Sequence, residues 1–168
     1  FALAKLESDP AVVRAALAEA TDELALAHEE LRELARGLHP AVLTERGLRA
    51  AVDALAGRMP IPVETAGIPD ERLPEPVEAA AYYLIAEALT NVTKYARASN
   101  VRIRLTANDG TVVVEVSDDG VGGADPASGT GLRGLADRVE ALDGSLEVES
   151  PIGAGTSLRA ELPVEPGV

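Results

Sequence analysis

Four residues in the stretch EALTNVTKYA bring together a carboxylate, an amide, an ammonium and a phenol: Glu87, Asn91, Lys94 and Tyr95. Their spacing of i, i+4, i+7 and i+8 puts them on one face of a helix. A carboxylate can act as base or sit in the outer shell of a metal ion, and an amide oxygen is a hard ligand. An ammonium pairs with phosphate, and a phenol donates a hydrogen bond. The opposite face carries Leu84, Ile85, Ala88, Leu89 and Val92, which suit packing on a sheet. An ordinary solvated face is the plain alternative, but such a face normally shows water a loose mixture of Lys, Glu and Arg.

A glycine-rich loop supplies the second group of residues. A strand-like run, VVVEVS, leads into Asp118-Asp119-Gly120-Val121-Gly122-Gly123, and Gly129-Thr130-Gly131-Leu132-Arg133-Gly134 then opens a helix. Glycines ahead of a helix N-terminus let backbone N–H groups approach an anion, and the helix dipole favours negative charge there. The run GTGLRG matches the dinucleotide pattern G-x-G-x-x-G, with Glu149 following at about the required 20 residues. It does not directly follow a strand, however, and too little chain remains after it for a dinucleotide fold. No Gly-Lys-Ser/Thr occurs, so a P-loop is absent as well.

The elements that must position these residues can be read from pattern. IPVETAG reads as a strand and PEPVEAAAYYLIAEALTNVTKYA as a long helix with Pro76 in its first turn. NVRIRLTAN and TVVVEVSDD alternate like strands around the turn ANDG. LRGLADRVEAL is helical, and GSLEVES and TSLRAELP form a second hairpin around PIGAG. The order strand, helix, two strands, helix, two strands predicts an α+β sandwich, one sheet covered by helices on one face.

Ahead of this lies a different texture. Val13, Leu17, Ala20, Leu24, Ala27, Leu31, Leu34 and Leu38 step alternately by four and three, an a/d heptad seam. Residues 1–7 read as the end of a preceding helix, and GLRAAVDALAG, about 47–57, as a further one. The seam favours a helical hairpin that packs against a partner, and the chain divides into residues 1–57 and 58–168.

Composition bounds the function. With three tyrosines, one phenylalanine and no tryptophan, the core must be aliphatic. Cysteine is absent, which fits a reducing, cytoplasmic compartment and excludes a thiolate metal site. A net charge of −13 argues against a nucleic-acid or anionic-membrane surface. No apolar run approaches the roughly 20 residues that span a bilayer.

Together these blocks resemble the ATP-binding catalytic region of bacterial sensor histidine kinases, in a superfamily with gyrase-type and mismatch-repair ATPases. EALTNVTKYA is similar to the family's N box, DDGVG to its first glycine box, GTGLRG to its second, and GAGTSLRAELP to the strand that closes the domain. LRELARGLHPAVLTERGLRAAV looks like the second helix of the dimerisation hairpin, most similar to the subfamily whose response regulators carry helix-turn-helix output domains. The resemblance implies a two-layer α/β sandwich with a mixed sheet. Its ligands would be ATP and Mg²⁺, and its full-length form a homodimer, anchored or soluble, that signals to a response regulator.

It also implies roles. Asn91 would bind Mg²⁺, with Glu87 in the outer shell of the ion ordering a water. Lys94 and Tyr95 would contact phosphate oxygens; Tyr95 replaces a His common in this subfamily. Glu87 and Lys94 would be the catalytic pair. Asp118 would accept a hydrogen bond from the adenine amine, and Gly120 and Gly122 would let the chain pass the nucleotide. Gly129, Gly131 and Leu132 would form the hinge and helix start at the phosphates, and Thr156 would support the adenine pocket. The segment between Gly122 and Gly129 is short, without a phenylalanine-containing lid box.

The implied reaction needs a histidine acceptor. His39 lies in GLHP at a helix end, and His28 is followed by Glu29 but lies on the second hairpin helix, without the family's acceptor context. The expectation is therefore that the acceptor lies upstream and that the chain is a fragment. Two alternatives are an anti-sigma-type serine kinase, which would lack the seam, and a dimeric scaffold with a degenerate nucleotide site.

Overall fold

The computed structural model describes residues 40–108, 110–125 and 130–164. The chain separates into two compact units, Phe1–His39 and Pro40–Val168. The heptad seam, His28 and His39 lie outside the described residues, as does Gly129.

The second unit opens with helix α1 (Ala41–Ala56), which is kinked at Gly47, where φ is 79°. It buries Leu43, Leu48, Ala51 and Val52 in the same core as the sheet. The expected division after residue 57 therefore moves to residue 39: α1 packs as part of the sheet domain. An apolar stripe in a sequence says that a helix is buried, but not against what.

Strand β1 (Val63–Ala66) follows, then helix α2 (Glu75–Asn91), which runs on into a π-helical turn, Val92–Ala96. Strands β2 (Val101–Asn108) and β3 (Thr111–Asp118) form a hairpin. Helix α3 (Thr130–Glu140), β4 (Ser145–Glu149) and β5 (Thr156–Pro163) complete the chain. The sheet order is β1-β2-β3-β5-β4. β1 pairs with β2 in parallel, and the remaining pairs are antiparallel. This is the mixed sheet and the element order that the sequence implies.

Period-2 alternation decides which face is covered. Val101, Ile103 and Leu105 of β2, Val112, Val114 and Val116 of β3, and Leu158, Ala160 and Leu162 of β5 are all buried. They meet Val77, Ala80, Ala81, Leu84, Ile85, Ala88 and Leu89 of α2 and Leu135 and Val139 of α3 in one aliphatic cluster. The other face stays wet. Register places Arg104, Glu115, Arg159 and Glu147 in one cross-strand row of alternating sign. Arg159 reaches Glu161 at 2.6 Å and Glu115 at 3.5 Å, and Arg102 reaches Glu64 at 3.2 Å. Such exposed pairs contribute little stability each; here they keep the uncovered face polar.

Among the described residues, one charged residue is inside. Glu78, in the first turn of α2, is 1% exposed. Its carboxylate accepts two hydrogen bonds from Arg72 Nε, at 3.0 and 3.1 Å, a third from Arg72 Nη2 at 2.8 Å, and one from the Leu73 backbone N–H at 3.1 Å. Arg72 Nη1 also donates to the Thr44 carbonyl at 3.2 Å, and Arg49 of α1 bonds the Ile68 carbonyl and Asp70. Charge pairing and four accepted hydrogen bonds offset the cost of burying the carboxylate. The same contacts fix α1, the β1–α2 loop and the start of α2 to one another.

Candidate nucleotide site

The stripe begins on α2 and ends on the π turn. Glu87 and Asn91 are half-buried, Lys94 is exposed, and Tyr95 is 69% exposed. Two threonines frame the change of helix type. Thr90 Oγ1 donates to the Ala86 carbonyl at 2.8 Å and Thr93 Oγ1 to the Leu89 carbonyl at 2.9 Å. Back-bonding of this kind to the i−4 carbonyl loosens and bends a helix, and single π turns are frequent at functional sites. Beyond Val92 the wider turn advances each side chain less around the axis than an α-helix does. Glu87 and Asn91 thus share an α face, while Lys94 and Tyr95 project from the adjoining π turn. Among the described residues, the side chains of Asn91, Lys94 and Tyr95 form no hydrogen bond or ion pair with one another or with the rest of the described chain.

The π turn stops at Arg97, which is left-handed at φ 51°. The glycine loop lands there. Val121 N–H donates to the Ala96 carbonyl at 2.8 Å. Gly120 is buried against Ala96, and a Cβ on it would lie 2.8 Å from the Ala96 Cβ. No side chain fits at 120 while the loop rests on the helix end. Asp118, which ends β3, accepts a hydrogen bond on Oδ1 from the Gly120 N–H at 2.8 Å.

Thr156 lies directly opposite Asp118 in the β3–β5 register, and its hydroxyl is 2.9 Å from the Ser150 hydroxyl. Ser150 in turn accepts from Gly123 N–H through its carbonyl at 2.9 Å and from Ala124 N–H through Oγ at 2.9 Å. Gly153 N–H donates to the Val121 carbonyl at 2.7 Å. The loop containing Gly120 and Gly122 is therefore held between the end of the π turn and the β4–β5 turn.

The second glycine motif meets the stripe from the other side. Gly131, in the first turn of α3, faces Glu87, whose carboxylate occupies the space a Cβ on 131 would need. Further along, the Arg138 guanidinium sits 4.4 Å above the Tyr83 ring. Tyr83 also meets Tyr82 edge-on at 5.4 Å, and burial pushes its hydroxyl pKa up. Since Tyr83 precedes Glu87 and Arg138 follows Gly131, the two helices run antiparallel. Leu132, half-buried at the start of α3, packs against the core.

Asp119 was not among the residues expected to bind. Its carboxylate accepts hydrogen bonds from Ser99 N–H at 2.7 Å, Asn100 N–H at 3.0 Å and Ser99 Oγ at 2.5 Å. These bonds, the serine hydroxyl foremost, lower its pKa from 3.8 to about 2. The sequence signal was an acid beside Asp118, but its partners lie about 20 residues away and no local spacing reveals them.

No group of three or more His, Cys, Asp or Glu able to hold a metal occurs among the described residues. The donors present, an amide oxygen and a carboxylate one helical turn apart, instead suit Mg²⁺. That ion keeps several waters and shares its coordination with substrate phosphates.

Residues 77–166, just over half of the chain, match the family described as histidine kinase-, DNA gyrase B-, and HSP90-like ATPase. The chain is 32% identical over 148 residues to the oxygen sensor histidine kinase NreB of Staphylococcus carnosus, covering 81% of this chain and 42% of the relative. It is 35% identical over 147 residues to the sensor histidine kinase MctS of Rhizobium johnstonii, covering 80% and 32%. An uncharacterized sensor-like histidine kinase of Chloroflexus aurantiacus is 31% identical over 176 residues, covering 95% and 30%. The chain thus spans less than half the length of these relatives. Among solved structures, the histidine kinase domain of the Erythrobacter litoralis EL346 blue-light activated histidine kinase superposes with a TM-score of 0.56 at 30% identity, covering 69% of this chain and 58% of that one. Acinetobacter baumannii histidine kinase AdeS gives 0.62 at 13% identity, covering 98% and 92%, a likeness of fold alone. With the stripe, the loop and α3 meeting as described, these matches place the chain in the histidine kinase-, DNA gyrase B- and HSP90-like ATPase family.

Proposed function

We propose that this region holds ATP with Mg²⁺ and, within a longer homodimeric protein, passes the γ-phosphoryl group to a histidine of a dimerisation hairpin that includes residues 1–39. The bond from the γ-phosphorus to the β-phosphate oxygen breaks as a bond to an imidazole nitrogen forms, ADP leaves, and the phosphoryl group then moves to an aspartate of a response regulator. The observation that carries this reading is the meeting of three segments distant in sequence. The Val121–Ala96 hydrogen bond joins the glycine loop to the stripe, and the Gly131–Glu87 contact joins α3 to it.

On this reading Asp118 and Thr156 mark the adenine end. Asn91, with Glu87 behind it, is the side chain that would hold Mg²⁺, which supplies charge neutralisation between the phosphates when bound. Lys94 and Tyr95 would contact the phosphate oxygens, with Gly131 at the adjoining start of α3. Phosphoryl transfer depends mainly on positioning and charge stabilisation, and rigidly tied segments provide the positioning. The acidic surface, net charge −13, makes nucleic acid an unsuitable partner. Among the described residues no helix is long and apolar enough to cross a membrane, and the reading places this region in the cytoplasm.

The test is calorimetric titration of the chain with ATP, with and without Mg²⁺, followed by incubation with γ-labelled ATP. The chain should bind ATP in a Mg²⁺-dependent way and take up no label, whereas protein that includes the complete hairpin should carry acid-labile, base-stable phosphate. Acid-labile label on this chain that disappears in His28→Ala would assign the acceptor to His28 instead.

A further inference from the structure

The site is held together by a residue that has no place in the stripe or the glycines. Asp119 accepts three hydrogen bonds from Ser99 and Asn100, at 2.5, 2.7 and 3.0 Å, across 20 residues of chain. Two residues on, Val121 N–H bonds the Ala96 carbonyl at 2.8 Å. These ties seize the two sides of one short segment, the left-handed stop at Arg97 and the turn that leads into β2. Between them lies Gly120, packed on Ala96 and aiming its N–H at Asp118 Oδ1. The orientation of the Asp118 carboxylate is thus set by the Gly120 N–H, and the position of Gly120 is set by its flanking ties.

Of those ties, the Val121 bond is one neutral hydrogen bond, whereas the Asp119 clamp is charge-assisted three times over, the stronger kind. Asp119 is exposed, so nothing in core packing requires an acid there. A residue placed only for solvation would not gather two backbone donors and a hydroxyl from a distant turn.

We propose that Asp119 is a positioning residue for base recognition: its clamp on the Ser99–Asn100 turn fixes the distance and angle between Asp118 and the Asn91-bearing helix. This rests on the reading of the site as a nucleotide site. The clamp makes the base end and the metal end one rigid piece, so a nucleotide spanning them meets both in register without ordering either.

The test uses the chain with Asp119→Ala and Asp119→Asn, titrated with ATP and with GTP in the presence of Mg²⁺, while amide exchange at Gly120 and Val121 is followed in the free protein. GTP carries a carbonyl where ATP carries the exocyclic amine, so selectivity reports the aim of Asp118 and not merely the integrity of the fold. Asp119→Ala is expected to lose roughly tenfold in ATP affinity, the order of one well-made charged hydrogen bond. It should also discriminate less against GTP and exchange Gly120 and Val121 faster. Asp119→Asn keeps an acceptor for both backbone donors and should recover most of the selectivity. If Asp119→Ala fails to fold, Ser99→Ala, which removes only the hydroxyl donor, should show the same loss of selectivity in weaker form. Undiminished ATP-over-GTP selectivity in Asp119→Ala, or in Ser99→Ala where Asp119→Ala does not fold, overturns the proposal alone. A parent chain that binds neither nucleotide overturns the functional reading and this proposal with it.

Discussion

The Glu87 carboxylate lies over the Cα of Gly131, in the volume that any side chain at 131 would claim. A residue on α2 and one on α3, 44 positions later in the chain, therefore depend on each other's size. Because the obstruction is the far end of a flexible side chain, Gly131→Ala should not disturb the fold. Replacing a helical glycine adds about 0.5–1 kcal/mol of helix stability, so the melting temperature should hold or rise slightly. The ATP affinity should nonetheless fall by about tenfold, ~1.4 kcal/mol, because Glu87 is pushed off its place. Paired calorimetry and thermal melting of the variant would reveal the two opposite signs; a loss in both would mean that the glycine is structural.

Asn91→Ala should weaken ATP binding strongly with Mg²⁺ present and far less in EDTA. Its amide makes no hydrogen bond among the described residues, so no network collapses with it. Equal losses under both conditions would remove it from the metal's coordination.

Asp118→Ala should abolish the preference for adenine. A site built to accept a hydrogen bond from an amine discriminates by leaving a group unpaired when the match fails. Calorimetry that gives the variant and the parent the same ATP affinity would contradict the assignment of Asp118 to the adenine end.

Asp119 makes a pH-dependent contribution with a definite sign. Its pKa is lowered from 3.8 to about 2 by the serine and backbone donors. The folded state thus holds the ionised form more tightly than the unfolded state does. The resulting stabilisation is fully present above pH 4 and is lost as the pH falls through about 2. Denaturant melts of the parent and of Asp119→Asn between pH 5 and pH 2 should converge as the pH falls. Parallel curves would show that the clamp contributes nothing to stability.

The inner ion pair and the outer ones should behave differently. Arg72→Met leaves Glu78 charged, buried and deprived of its partner, so the unfolding midpoint should drop clearly. Arg102→Met removes an exposed pair and should leave the midpoint nearly unchanged. Urea melts of both variants in the same buffer would decide it.

Much of this was legible from the chain because the strands obey a strict alternation. Val101, Ile103 and Leu105 announced the covered face of β2, and the adjoining hairpin supplied the register. Glu87, Asn91, Asp118 and the glycines were recognisable because they combine unusual chemistry with fixed spacing. The π turn was not legible: it depends on Thr90 and Thr93 turning their hydroxyls back on carbonyls, and on Ala96 being taken by Val121, and helical periodicity contains neither. Nor could the stripe of α1 say that Leu43 and Val52 pack into the core of the sheet domain. Asp119 read as a second acid beside Asp118, because its three donors come from a turn on another element.

The parallel pairing of β1 with β2 has a consequence for how the molecule assembles. The β2–β3 and β4–β5 hairpins close over a few residues each, within microseconds in general. Val63, by contrast, can find Val101 only after the whole of α2 and the π turn have been gathered into the loop between them. Loop closure over that length costs entropy before any ladder bond repays it. β1 has only four residues with which to do so, at the sheet's edge. In pulse-labelled refolding its amides should therefore become protected last. Asn91 lies within that crossover, so on the proposed reading this end of the site reaches its final shape only as the strand docks, and Mg²⁺-dependent ATP binding should appear in the closing step of folding.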